Sequence, residues 1–545
     1  MKRITTLVSF PVILGFHLFL LLTILLGGLY RFEENDDVLM MLISSGIWGA
    51  ETSEYLVFIN VLLGLLFKAS NALLATYNSY LWFFLIATLL SHLSIIRSIR
   101  RLAGPEQFTK AYLLLVPILF HSVLFLQFTT LSYTLALAGL CCVVILISDS
   151  QSGWGTFVGA LFFLGLSFLV RKEVAMVVAA FLLLFFLYFH FYHKKIALVR
   201  LGVFVGMLLL QFIILYTFDK SYYEKNGYSD FYSYNQIRGM LQDNPTPQVL
   251  QDCFLENGFT ETAFLLFRNA SLPYTAPDRL QAVLNCQRSQ KLAAPLQHYL
   301  KRIPGDIYYF FYYSTPWSVY LLALPLLLIF AYNASLRPSL WYCLCSSLLL
   351  LLVILLEKNL KERVVFFLLH LPLVFIFFRS FLNKLPIHLP VWGIGLYLFV
   401  LTTYLGNSSL RTIENRRIYG RQFQQLQQLA VLEDKTLILA GRFSTPALPY
   451  LTYITGSSSR DVTDFSRVYI SGWFSGSPTA QNFLQQRGAA TFLVLLQSGR
   501  GVLLTDEPGL QKVLERYCQE TYKIPLQLKT THRDELEGLY FIQSR

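Results

Sequence analysis

The chain has 545 residues, 55% of them hydrophobic and 16% aromatic, with 14% charged and a mean hydropathy of +0.51. A water-soluble domain carries about 25% charged residues, so a wholly soluble protein is excluded. The net charge of +12 does not mark a nucleic-acid binder. Lys and Arg gather at the ends of apolar runs, and no basic stretch is interleaved with polar and aromatic residues.

Lys2 and Arg3 precede an apolar run from about Leu7 to Leu29. It is too long for a signal-peptide core and lacks a small-residue cleavage site, so it reads as a retained helix running from inside to outside. The stretch after it, Tyr30 to Met41, places Glu33, Glu34, Asp36 and Asp37 within five positions. Burying such carboxylates in lipid is costly, so the stretch belongs at or outside the membrane surface. There it can act as a base, bind a metal or cap a helix starting near Val38, with Asn35 or Asp36 as N-cap.

Tyr55 to Leu74 is interrupted by Asn60, Lys68 and Asn71 and reads as a helix lying in the outer interface. Were it a span, Arg97, Arg100 and Arg101 would end up outside. Tyr80 to Ile96 then runs inward. Phe108–Phe125, Leu131–Ile147, Trp154–Val170, Val174–Tyr192 and Leu201–Phe218 alternate out, in, out, in and out. A loop of about ninety residues follows, Asp219 to Tyr309. Its Cys253 and Cys286 can form a disulfide if the loop is extracytoplasmic. Trp317–Tyr332, Leu340–Leu356, Val364–Phe378 and Val391–Tyr404 complete roughly eleven spans of the ~20-residue kind.

The composition changes after Gly406. Asn407 to Asp434 reads as a polar helix. Lys435–Ala440, Thr491–Leu496 and Leu539–Ile542 read as strands, and Pro508–Tyr522 as an amphipathic helix. The expected fold is a polytopic α-helical membrane protein. Its transmembrane domain covers 1–406, with interfacial helices over 38–76 and a large external loop over 219–313. A soluble extracytoplasmic α/β domain covers 407–545, long enough for its own core. That domain has no phosphate loop, nucleophile elbow or metal signature.

Three groups could carry chemistry. Asp36 and Asp37 are the candidate base and the candidate ligands of a divalent cation such as Mg or Mn; helix capping alone needs one residue, not four acids. Arg171, Lys172 and Glu173 form a tight outer hairpin, read either as a snorkelling tip or as an anion site in which Glu173 orients Arg171. Lys358, Lys361 and Arg363, beside Glu357 and Glu362, form a second outer cationic hairpin. It is either a self-neutralising loop or a phosphate clamp. Acids and cations on one membrane face fit displacement at a carbon bearing a phosphate leaving group.

At these residues the sequence resembles the GT-C class of membrane glycosyltransferases, which use polyprenyl-phosphate-linked sugars. The segment NDDVLMMLISSGIWGAETSEYLVFINVLLG is also similar to the opening of a group of bacterial multi-spanning proteins. In those, an Asp-Asp pair is followed by a Glu-hydrophobic-Phe-Ile-Asn segment. The resemblance covers residues 1 to 100 and is architectural beyond them. It implies Asp36 or Asp37 as base, Glu54 and Asn60 on the acceptor side, and Arg171 and Arg363 as phosphate-binding cations. The Lys-Pro-Pro run of lipid A aminoarabinose transferases and the WWD-type signature of oligosaccharyltransferases are absent.

The resulting expectation is an inverting transferase. It moves a sugar from a polyprenyl-phosphate donor to an envelope glycan, lipid or protein at the outer face of the plasma (inner) membrane. Its partners are membrane lipid and those substrates, not nucleic acid; the N-terminus is cytoplasmic and the C-terminal domain extracytoplasmic. The alternatives are a non-catalytic envelope-assembly scaffold and a lipid-linked glycan transporter. Nearly pure apolar mid-span positions and the lack of half-to-half similarity weigh against transport.

Overall fold

The computed structural model describes residues 10–33, 35–48, 52–74, 78–149, 152–193, 198–225, 227–242, 247–269, 271–273, 275–293, 329, 370, 374, 378–380, 388, 390–432, 435–440, 467–505, 507, 509–523, 525–532 and 540–544. Nearly all of three expected spans, over 317–332, 340–356 and 364–378, lies outside the described residues. So do Glu34, Glu357, Lys358, Lys361, Glu362 and Arg363.

The protein is a helical membrane protein with a C-terminal mixed sheet. Among the described residues, three helices are long and apolar enough to cross a membrane: Ser79–Gly104, Phe128–Ser148 and Val199–Lys225. Phe10–Leu26, Val61–Leu73 and Trp154–Val170 are shorter apolar helices. The first elements are α1 (Phe10–Leu26), β1 (Arg31–Phe32), α2 (Asn35–Ser45) and α3 (Val61–Leu73). Then come α4 (Ser79–Leu124), β2 (Phe125–Leu126), α5 (Phe128–Ser148), α6 (Trp154–Val170), α7 (Lys172–His193) and α8 (Leu198–Lys225). The expected interfacial helix begins six residues late. Asn60 caps α3, its Oδ1 accepting from the Leu62 N–H at 3.0 Å.

Two expected spans join in α4, which breaks at Gly104 with φ +67°. A side chain resists this left-handed conformation and glycine does not. The break lies at one of the two ends of the bundle. At one end Arg100 lies 4.3 Å from the Phe10 ring centroid, and Arg101 bonds Asp149 at 2.6 Å. At the other end β1 and β2 pair in parallel, Arg31 with Phe125 and Phe32 with Leu126. This short pairing fixes the acidic stretch beside the start of α5.

The interior is less apolar than the sequence suggests, which corrects the expectation of nearly pure apolar mid-spans. His17 of α1 lies 3.1 Å from the Tyr112 hydroxyl and 3.2 Å from His92, and His92 lies 2.9 Å from Ser122. All four are buried. The chain of bonds satisfies polar groups that would otherwise face hydrocarbon, and ties α1 to both halves of α4. Single His and Ser residues spaced far apart give no period to detect. Elsewhere small residues allow close helix approach: a Cβ on Gly139 would meet Leu164 at 2.7 Å.

The loop expected to be external forms α9 (Ser229–Gln242), α10 (Pro247–Glu256), α11 (Glu261–Arg268) and α12 (Pro277–Ala293). A Cys253–Cys286 disulfide joins α10 to α12. One continuous helix, α13 (Val391–Leu432), takes the place of the expected span to Tyr404 and separate helix from Asn407. Thr402, Thr403, Tyr404, Asn407, Ser408 and Ser409 around Gly406 are weak helix formers, so local propensity marks a break that the helix does not make.

The sheet has the order β4-β3-β5-β7-β6, with β3 (Thr436–Leu439), β4 (Val468–Ile470), β5 (Gly501–Thr505), β6 (Leu528–His532) and β7 (Tyr540–Ser544). β3 pairs in parallel with β4 and β5; β7 is antiparallel to β5 and β6. Around it lie α14 (Pro478–Gln486), α15 (Phe492–Gln497) and α16 (Leu510–Tyr522). The strand expected over 491–496 is instead the helix α15. A short apolar run cannot be assigned by periodicity, and the buried strand is the run after it, GVLLT.

Candidate active site at the acidic turn

The site is built where α2 begins. Asp37 is fully buried. Its Oδ1 accepts the Tyr80 hydroxyl at 2.9 Å and the Phe128 backbone N–H at 3.1 Å. Both donors start helices, Tyr80 in α4 and Phe128 in α5, so the carboxylate pins two helix N-termini where negative charge is favoured. Asp36 is half-buried and points elsewhere. Its Oδ1 accepts the Trp473 indole N–H at 2.8 Å.

Trp473 comes from a turn of the C-terminal region, and its ring meets Phe58 edge-on at 4.8 Å. Phe58 stacks on Phe128 at 5.7 Å. The Arg171 guanidinium lies 4.7 Å from the Phe128 centroid and 5.9 Å from that of Phe58. Three aromatic rings from three distant parts of the chain thus bridge the Asp36 carboxylate and the Arg171 cation. Glu173 pairs with Arg171 at 3.1 Å. Such an exposed pair contributes little to stability.

Phe58 is aimed by a strained neighbour. Val57 has φ +63°, an outlier for a β-branched residue and a cost of about 1–3 kcal/mol. Its N–H donates to the Tyr223 hydroxyl at 2.9 Å, which holds it there. Asn60 is committed to structure. Its Nδ2 donates to the Leu215 carbonyl at 3.1 Å, and its N–H donates to the Leu169 carbonyl at 2.8 Å. Asp219 accepts the Val61 N–H at 2.8 Å. Together they fasten α3 to the ends of α6 and α8.

Glu54 belongs to a second cluster. It pairs with Lys68 at 2.8 Å and accepts the Tyr222 hydroxyl at 3.1 Å. The Glu54 bond raises the Lys68 pKa against the opposing effect of burial. Tyr55 stacks on Tyr228 with centroids 3.5 Å apart, and Tyr228 lies 3.2 Å from the Thr479 hydroxyl. Lys172 donates to the Tyr232 hydroxyl at 3.0 Å. The C-terminal region closes over this end of the bundle: Trp48, fully buried, stacks on Phe483 at 5.8 Å and meets Phe474 at 5.1 Å.

A Mg or Mn ion takes oxygen ligands; the described bonds of Asp36 and Asp37 involve one carboxylate oxygen of each, Oδ1. The group of Cys253, Glu256 and Cys286 is close enough for a metal, but its two sulfurs are bonded to each other and offer no thiolate.

Sequence reasoning missed Trp473, Tyr80 and Phe128. A signal for Trp473 exists: it is the single tryptophan after residue 406, inside the small-residue turn SGWFSGS. Nothing local marks the other two.

No protein-family model and no curated protein matches the chain. Two solved structures are similar over nearly its full length. One is ArnT from Cupriavidus metallidurans in the apo state: 14% identity, 96% of this chain and 97% of that chain covered, TM-score 0.43. The other is the same protein bound to undecaprenyl phosphate: 13% identity, 97% of both chains, TM-score 0.41. At these scores the likeness carries no argument about activity, which rests on the geometry of the site.

Proposed function

We propose that the chain transfers a sugar from a polyprenyl-phosphate donor to a cell-envelope acceptor at the outer face of the plasma (inner) membrane, with inversion at the sugar carbon. In this topology the N-terminus is cytoplasmic and the C-terminal region extracytoplasmic. The observation that carries the reading is the meeting of Asp36 and Arg171 on the Phe58–Phe128–Trp473 rings at one end of the bundle.

Asp36, the more exposed carboxylate, takes the proton of the acceptor hydroxyl or amine as that atom attacks the anomeric carbon. The bond from that carbon to the phosphate oxygen breaks, and the electron pair leaves with the polyprenyl phosphate. Arg171 stabilises the departing phosphate, together with Lys358, Lys361 and Arg363. Asp37 is a positioning residue: buried and holding two donors, it fixes α2 so that Asp36 faces the rings. Trp473 orients the Asp36 carboxylate from the far side.

The test is Asp36→Asn expressed in a host deleted for this gene. Glycan transfer, read as the mass increment on the envelope acceptor, is expected to disappear at normal membrane levels of the protein. A wild-type increment would remove Asp36 as base.

A further inference from the structure

The C-terminal region carries a concavity of about 490 Å³ on the α14 side of the sheet, which Pro273 of the external loop also lines. Its size falls in the ~300–1,000 Å³ range of small-ligand sites. None of its lining residues is a carboxylate, lysine, arginine or histidine. Gln481 and Gln485 are exposed and four residues apart on α14, so their amides stand one above the other on the same face. Ser475 and Thr491 add hydroxyls. Tyr469 and Phe492, both buried, lie 6.0 Å apart beneath it. Burial pushes the Tyr469 phenol up to about 12, so it stays protonated.

The neighbouring cations are turned elsewhere. Arg487 lies 3.7 Å from the Phe483 centroid and donates to the Phe483 carbonyl at 3.1 Å. Arg500 donates to the carbonyls of Arg487 and Gly488 at 2.7 and 3.2 Å. Among the described lining residues an anion would therefore find no charge partner. A purely apolar ligand would desolvate the two amides and the Thr491 hydroxyl without replacing their bonds to water. A ring bearing several hydroxyls meets both demands. Each amide offers a donor and an acceptor to neighbouring hydroxyls.

We propose that this concavity binds an uncharged saccharide, and that the saccharide is part of the acceptor. The second half of this statement rests on the transferase reading; the first does not. The two sites are joined in sequence: Ser475 of the concavity and Trp473, which holds Asp36, belong to one turn. A bound glycan would sit against the segment that orients the base.

The experiment uses the full chain in lipid nanodiscs, without donor. It is applied to immobilised oligomers of uncharged hexose, N-acetylhexosamine and deoxyhexose, beside uronate- and phosphate-bearing oligomers. Retention on one or more uncharged oligomers is expected, with Gln481→Ala/Gln485→Ala binding about tenfold more weakly, as for the loss of ~1.4 kcal/mol. Alanine suits these exposed helix positions, so the variant is expected to fold, and its unfolding midpoint checks this. No retention, retention on acidic oligomers alone, or retention unchanged in the folded double variant overturns the site. If the saccharide is retained but Asp36→Asn transfers at the wild-type rate, the acceptor assignment falls and the saccharide site stands.

Discussion

Gly64→Ala is expected to destabilise the protein although helix propensity favours the change by about 1 kcal/mol. A methyl group at this position of α3 would lie 2.1 Å from the Glu54 carbonyl oxygen and 2.9 Å from its Cα. Ordinary contact begins near 3.4 Å, so the two backbones must part by about 1.3 Å (3.4 − 2.1). The segment that would have to give is held on three sides: Glu54 by Lys68 and Tyr222, Val57 by Tyr223, and Asn60 by Leu169 and Leu215. Overpacking of this kind costs about 1–3 kcal/mol, and the anchoring puts Gly64→Ala at the upper end, for a net loss of about 1–2 kcal/mol. The assay is thermal unfolding in nanodiscs, with Gly420→Ala as control. Gly420 lies within α13 and a Cβ there meets nothing within 4 Å, so that change is expected to stabilise slightly. A Gly64→Ala midpoint at or above wild type would refute the argument that this contact clamps the loop behind Phe58.

Arg416→Gln is expected to loosen the acidic stretch from the far end of the sequence. Arg416 donates to the carbonyls of Gly28 and Tyr30, holding the turn that follows α1, and each charged bond contributes about 1.5–3 kcal/mol; faster hydrogen exchange over 27–33 reports its loss. Reduction of Cys253–Cys286 opens a loop with a sequence separation of 33. By loop entropy this costs up to about 3–4 kcal/mol, read as protease cleavage between α10 and α12. The Thr262 hydroxyl, donating at 2.6 Å, holds the Glu520 carboxyl below its ordinary value of 4.5. A depressed folded-state pKa gives stability that is present above 4.5 and lost as pH falls through the folded value. Protection of α11, corrected for intrinsic exchange, is therefore expected to drop below pH 4.5 in wild type and to lack this step in Glu520→Gln.

The elements that follow a local rule were legible. The acidic run after the apolar α1, the helix α3 and the strands at Thr436–Leu439 and Tyr540–Ser544 all announce themselves by charge, period or β-branching. What failed is non-local. FLVLL at 492–496 fits a buried strand or a buried helix equally, and Gly499 at φ +69° just past its end decides only once the turn is seen. The polar chain through His17 and His92 reads as isolated exceptions until the helices pack. Asp36 and Asp37 look interchangeable in sequence, yet one turn of α2 sends Asp37 into the core and Asp36 toward a tryptophan 437 residues away. That division of labour comes from the direction of two neighbouring side chains on a helix.

The central claim is that a lipid-borne phosphate sits between Asp36 and Arg171. Photo-crosslinking of a diazirine-bearing polyprenyl phosphate in proteoliposomes tests it without knowledge of the sugar. Labelled peptides are expected to include Phe58, Phe128 or Arg171, with at least tenfold less labelling in Arg171→Gln. Labelling spread evenly over the lipid-facing helices, and equal in Arg171→Gln, would contradict it.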